Sequence, residues 1–265
     1  MITARLAGEP LVFVHGWPLS SLTWRKVVPP LAEIYRCIAL DLLGAGESAA
    51  EASQALGIGA QGRILGSFLD ALGLERSALV GHDSGGSVVR SFAVAHPERI
   101  SRLVLADTEV PGHRPAFVGL FQLAARLPGA DRLLGRTLGS RSLSRLPFGS
   151  CFAELRSFDF DEFHAKVVSP NARTDVTRAA CRKFLLDFDL AEVDEAGALY
   201  GRLTMPKCVI WGEDDRFFPL AQGRRLAGML PEPTRFEVIP RAGLLVHEER
   251  PEAWLRTVRD FLTAA

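Results

Sequence analysis

The stretch Leu79-Val80-Gly81-His82-Asp83-Ser84-Gly85-Gly86-Ser87-Val88-Val89 decides how this chain folds. The apolar run Ala78 to Val80 predicts a buried strand. From Val88 onward, Val88, Phe92 and Ala95 recur on one face of a predicted helix. Between the two lies a turn crowded with glycine. Gly81 and Gly85 stand two residues before and after Asp83. That spacing suits a sharp strand-to-helix turn that lifts one side chain clear of the backbone. Only small residues at those two places let the chain pass. The lifted residue is an aspartate, an anion at neutral pH, so it can attack an electrophilic carbon without a general base.

Outward from this turn the chain alternates strands with helices. Ile2 to Leu6 predicts a short strand, Leu11 to Val14 a buried one, Trp24 to Tyr35 a helix, Cys37 to Leu40 a strand and Ala60 to Leu72 a helix. Arg102 to Ala106 and Thr234 to Ile239 predict further strands. This rhythm implies a mostly parallel, doubly wound α/β sheet, with sites at the carboxyl ends of its strands. From about 110 to 201 strand signals stop. Apolar residues recur at helical spacing in Phe117 to Leu127 and Arg178 to Phe188.

The chain resembles the α/β-hydrolase superfamily and, within it, the aspartate-nucleophile branch of haloalkane dehalogenases, haloacetate dehalogenases and epoxide hydrolases. The resemblance implies an α/β-hydrolase fold, a core of residues 1–109 and 202–265, and a helical cap of residues 110–201. It makes Asp83 the nucleophile. His15-Gly16-Trp17-Pro18 resembles the oxyanion loop, with the Trp17 and Ser84 backbone N–H groups as the oxyanion hole. Gly212-Glu213-Asp214-Asp215, with Pro219 beyond, resembles the acid loop and makes Asp215 the acid that orients a catalytic histidine. Asp107, at the end of an earlier strand, is open to the same role or to lying at a solvated strand end. Glu109 is expected at a solvated end. His15, Asp107 and Phe121 are expected against the substrate.

One departure matters most. In Gly243-Leu244-Leu245-Val246-His247-Glu248-Glu249, Leu244 stands where the family carries its histidine. His247, three residues on, is the candidate to replace it from a shifted loop or helical turn. His164, in the cap segment, stays open as another. Without a base, Asp83 can form an ester but not release it. Other departures blur the substrate. Ser84 replaces the tryptophan that grips halide in haloalkane dehalogenases. Ser84 and Ser87 replace the arginines of haloacetate dehalogenases. The two tyrosines, Tyr35 and Tyr200, do not suit epoxide protonation.

The expected function is hydrolysis of a small, mostly apolar organic substrate through an Asp83 ester. One alternative is an impaired homologue or small-molecule binder. Another is a Ser84-dependent esterase, which would put His82 where a small residue is needed. A formal net charge of zero gives no reason to expect nucleic acid. The four cysteines have neither metal nor disulfide spacing and fit a reducing cytoplasm. No apolar run reaches the length of a membrane span, so no membrane partner is expected. No cofactor or metal is implied, and a homodimer stays open.

Overall fold

This computed structural model describes residues 2–4 and 8–264. Among the described residues seven strands form one sheet: β1 (Ile2–Ala4), β2 (Pro10–Val14), β3 (Arg36–Leu40), β4 (Ser77–His82), β5 (Ile100–Ala106), β6 (Lys207–Gly212) and β7 (Thr234–Ile239). Their order is β1-β3-β2-β4-β5-β6-β7. β1 runs antiparallel to β3, and the other neighbouring pairs are parallel. Of the strand expected over Ile2–Leu6, residues 2–4 are seen, and positions 5 and 6 lie outside the described residues.

Helix α1 (Val28–Leu31) precedes β3, α2 (Ile58–Ala71) precedes β4, and α3 (Ser84–Ala95) links β4 to β5. Between β5 and β6 come α4 (Ala116–Ala125), α5 (Ala130–Gly139), α6 (Arg141–Gly149), α7 (Phe160–Phe163), α8 (Asp175–Asp187) and α9 (Leu190–Gly197). Helix α10 (Leu220–Met229) precedes β7, and α11 (Val246–Glu249) and α12 (Pro251–Thr263) close the chain.

The helix expected over Trp24–Tyr35 is not continuous. A 3-10 turn covers Ser21–Trp24, and α1 begins only at Val28. Pro29 and Pro30 explain the break: they have no N–H to donate to carbonyls a turn earlier, so a helix can start at them but not run through them.

The sheet is covered on both faces, which is why its strands are apolar runs and not alternating ones; all six residues of β4 are buried. On one face Phe13, Trp24, Val80, Trp254 and Val258 form one core. On the other, Val14, Leu79 and Phe92 belong to the same core as Phe148, Phe163 and Phe184 of the helical insertion. The insertion is therefore packed onto the sheet through a shared core.

Strand β2 pairs with β3 on one side and β4 on the other. The strand order reverses there, and such reversals open a crevice beyond the carboxyl ends of the strands. The ends of β2 and β4 carry His15–Trp17 and Asp83.

Candidate active site

Asp83 joins β4 to α3 with φ 51° and ψ −134°, a conformation costly for a residue with a side chain. The surroundings hold it there. Its N–H donates to the carbonyls of Ala106 and Asp107 at 3.2 and 3.1 Å. Its own carbonyl accepts from Gly86 N–H and from Thr108 Oγ1, each at 2.8 Å. A Cβ on Gly85 would sit 2.4 Å from the carbonyl oxygens of Val14 and His15, and one on Gly81 would sit 2.7 Å from Gly86 Cα. Both glycines are thus fixed by close backbone approach, as their spacing around Asp83 predicts. A Cβ on Gly16 would fall 2.2 Å from Asp83 Oδ2, so the loop after β2 lies directly against the lifted carboxyl.

Trp17 and Ser84 come together there. Their backbone N–H groups face the Asp83 carboxyl and favour its charged form. Trp17 N–H also donates to Ser84 Oγ at 2.9 Å. No histidine nitrogen lies within hydrogen-bond distance of that hydroxyl among the described residues, so a Ser84 nucleophile lacks a base.

A cavity of about 360 Å³ lies above Asp83. Trp17, Phe117, Phe121, Phe184 and Leu244 give it apolar walls. Phe121, expected against the substrate, lines the cavity with its ring 6.4 Å from that of Trp17. Two carboxyls border the cavity, Asp83 and Glu109. Arg182 also borders it, but its guanidinium is held by the Ala125 carbonyl (2.6 Å) and by Asp131 (3.5 Å).

Glu109 corrects the sequence reading, being buried and not at a solvated strand end. Its Oε2 accepts from Ser87 Oγ at 2.7 Å and from Thr108 Oγ1 at 3.1 Å. The buried Arg90 guanidinium ties this corner together. It donates to Tyr200 Oη (2.6 Å), Ser87 Oγ (2.8 Å) and the Glu109 carbonyl (2.6 Å). Tyr200 is consumed by this network. The missed signal was Arg90 itself: an arginine on a helix whose neighbours are all apolar or small calls for a buried acid.

His247 is the second correction. It does not border the cavity. Its ring is buried on the opposite face of the sheet, stacked 4.2 Å from Trp24 and edge-on to His82 at 4.6 Å, with Nε2 2.8 Å from Thr23 Oγ1. Burial holds its pKa well below the ordinary value. The expected one-turn shift fails because α11 begins at Val246, with Leu245 as its N-cap. Residues 244 and 247 are not on one helix, so the rule that i and i+3 share a side does not link them. Leu244 takes the place at the cavity wall. His164 is tied to the Leu138 carbonyl at 2.9 Å, and His82 donates from Nε2 to the Leu244 carbonyl at 2.8 Å.

His15 is a third correction. Its Nε2 accepts from Leu42 N–H at 3.1 Å and its Nδ1 faces the Gly16 carbonyl at 2.9 Å, so it braces the loop and does not border the main cavity.

Neither Asp107 nor Asp215 borders the cavity. Asp107 Oδ1 accepts from Gly212 N–H at 2.7 Å, so it is no substrate contact. Asp215 Oδ1 accepts from the N–H groups of Phe217 (2.8 Å) and Phe218 (3.1 Å). The second oxygen of each carboxyl is buried without a partner among the described residues.

Burial pushes the Asp83 carboxyl well above its ordinary value, with the Glu109 and Asp215 charges adding to the shift. Burial likewise pushes Asp107 up, and pushes Asp215 from 3.8 to about 7. Between those two values the folded protein binds more protons at Asp215 than the unfolded chain. Stability is then expected to fall as pH rises through that window, by at most about 4 kcal/mol from this residue. Urea midpoints at either end of the window check this. Asp215→Asn should flatten the slope, and an equally steep slope in that variant would remove Asp215 as its source. Among the described residues no group of three or more His, Cys, Asp and Glu side chains is placed to hold a metal ion.

The family model of the alpha/beta hydrolase fold matches residues 9–251. Haloalkane dehalogenase 2 of Mycobacterium bovis is 30% identical over 250 residues, covering 92% of this chain and 85% of that protein. The 2-hydroxy-6-oxo-2,4-heptadienoate hydrolase of Pseudomonas putida is 31% identical over 268 residues, covering 97% and 90%. The crystal structure of an alpha/beta hydrolase fold protein from Burkholderia ambifaria superposes with a TM-score of 0.82 at 29% identity, over 98% of this chain and 92% of that one. With the strand-to-helix turn, the loop against it and the sheet order already placed, these matches make the chain a member of the alpha/beta hydrolase fold family and a hydrolase.

Proposed function

We propose that the protein acts on a small, neutral, mostly apolar organic substrate through a covalent ester on Asp83, beneath a cap formed by the helical insertion. The observation that carries this is the Asp83 carboxyl held at the base of an apolar cavity against the Trp17 and Ser84 amides. In the first step an Asp83 oxygen attacks an sp³ carbon. The new C–O bond forms as the carbon–halogen or epoxide C–O bond breaks, its electron pair leaving with the halide or the ring oxygen. In the second step water attacks the ester carbonyl carbon. Negative charge gathers on the carbonyl oxygen, where the two amides stabilise it. Collapse returns the Asp83 carboxylate and an alcohol. That step needs a base, and Leu244 fills the base's place, so the ester should accumulate.

The charge pattern favours neutral substrates. A dienoate of the kind named for the Pseudomonas relative is an anion, and this cavity, bordered by two carboxyls and by an Arg182 already held by Asp131, offers it no free cation among the described residues. A haloalkane, named for the Mycobacterium relative, needs none. Because Asp83 titrates above the ordinary carboxylate range, ester formation should speed up as pH rises and the carboxylate fraction grows.

Intact-mass spectrometry after incubation with short 1-haloalkanes and terminal epoxides tests this. The expected result is an alkyl adduct on Asp83 that is stronger in mildly basic buffer and lost in Asp83→Asn. No adduct and no turnover with any of them would sink the proposal. Binding of the same compounds without reaction would support the second reading, a small-molecule binder, which the leucine at 244 favours.

A further inference from the structure

We propose that the outer face of α4 and α5 docks against an anionic lipid surface, with the mouth of the cavity turned toward it. On α4, Leu120 and Leu123 fall at i and i+3 on one side of the helix, and Leu127 follows in the turn after it. They are 63%, 59% and 56% exposed, and Leu133 on α5 is 61% exposed. Four large apolar side chains in fourteen residues of a hydrolase surface call for a partner. Ala124 and Leu133 are exposed and also line the cavity, so the cavity opens between these two helices, amid the leucines.

The charges beside the leucines select the partner. Arg126, Arg132 and Arg136 are exposed, and none has a carboxylate within ion-pair distance among the described residues. The one acid between 116 and 140 is Asp131, already held by Arg182. A two-fold contact between copies of this face would set arginine against arginine. An anionic bilayer offers phosphates for the guanidinium groups and acyl chains for the leucines, as for an amphipathic helix lying in an interface. It would also hold apolar molecules at the entrance of an apolar cavity. Among the described residues no helix is long and apolar enough to cross a membrane. That bears on spanning a bilayer and not on lying against one.

Vesicle co-sedimentation tests the proposal, with phosphatidylcholine alone and mixed with phosphatidylglycerol. The expected result is binding to the mixed vesicles only, weakened by salt. Binding should fall at least about tenfold in Arg132→Glu/Arg136→Glu, each basic residue near an anionic surface counting for several-fold. It should fall similarly in Leu123→Ser/Leu127→Ser, with the thermal midpoints of both variants unchanged because all four positions are exposed. Absence of binding by the wild-type protein, binding indifferent to phosphatidylglycerol, or a dimer in size-exclusion chromatography that the leucine substitutions dissociate would each overturn it. The salt dependence of the wild-type protein decides the matter should either variant fold poorly.

Discussion

Leu244→His is expected to turn ester accumulation into turnover, raising the rate of ester release by about 10²- to 10⁴-fold, the usual contribution of a positioned general base. The site is prepared for such a residue on three sides. Leu244 is at the cavity wall above Asp83. Asp215 and Asp107 each hold a buried carboxyl oxygen with no partner among the described residues. The Leu244 backbone is pinned by the His82 ring, so a new side chain would start from a fixed Cα. An imidazole there gives the Asp215 oxygen a donor, which should draw that carboxyl back down from about 7 toward its ordinary range. The measurement is paired. Intact mass should show the adduct of the wild-type protein vanish in Leu244→His, while steady-state product release rises. Unchanged adduct and unchanged turnover would show that Leu244 is not what stops the second step.

Arg90→Met should destabilise the fold by about 3–5 kcal/mol, because several buried acceptors lose a charged donor at about 1–3 kcal/mol each. Methionine keeps much of the volume, so packing loss is small. What is lost is the charge that eases Glu109, whose carboxyl is already raised by burial. Tyr200, Ser87 and the Glu109 carbonyl lose their donor as well. Adding Glu109→Gln to Arg90→Met should recover part of the loss, because a neutral amide needs no buried counter-charge. Urea unfolding of the single and double variants at neutral pH gives the coupling. Additive effects in that cycle would mean that Arg90 and Glu109 do not act as a pair. The pair bears on catalysis because the Glu109 charge helps raise Asp83.

The turn around Asp83 was legible because its requirement is local. A lifted side chain at positive φ needs small neighbours two residues away, and Gly81 and Gly85 supply them whatever the rest of the chain does. The strands were legible because a sheet buried on both faces demands apolar runs, and such runs stand out in one dimension. The break in the Trp24–Tyr35 helix is also local, set by Pro29 and Pro30.

His247 and Glu109 differ in kind. Three residues separate Leu244 from His247, but which face His247 takes depends on where α11 begins, and that is set by the packing of Trp24, Trp254 and Thr23 around the ring. The Glu109 carboxyl is buried where Ser87, twenty-two residues earlier on another element, meets it, and Arg90 holds its backbone carbonyl across the same corner. The sequence by itself determined the fold family, the lifted aspartate, the loop that faces it and the absence of a histidine at 244. Only the tertiary structure decided which acids border the cavity, which histidines are spent elsewhere and where the cavity opens. Short-range steric demands are recorded in adjacent residues, whereas burial and charge pairing depend on partners that only the folded chain brings together.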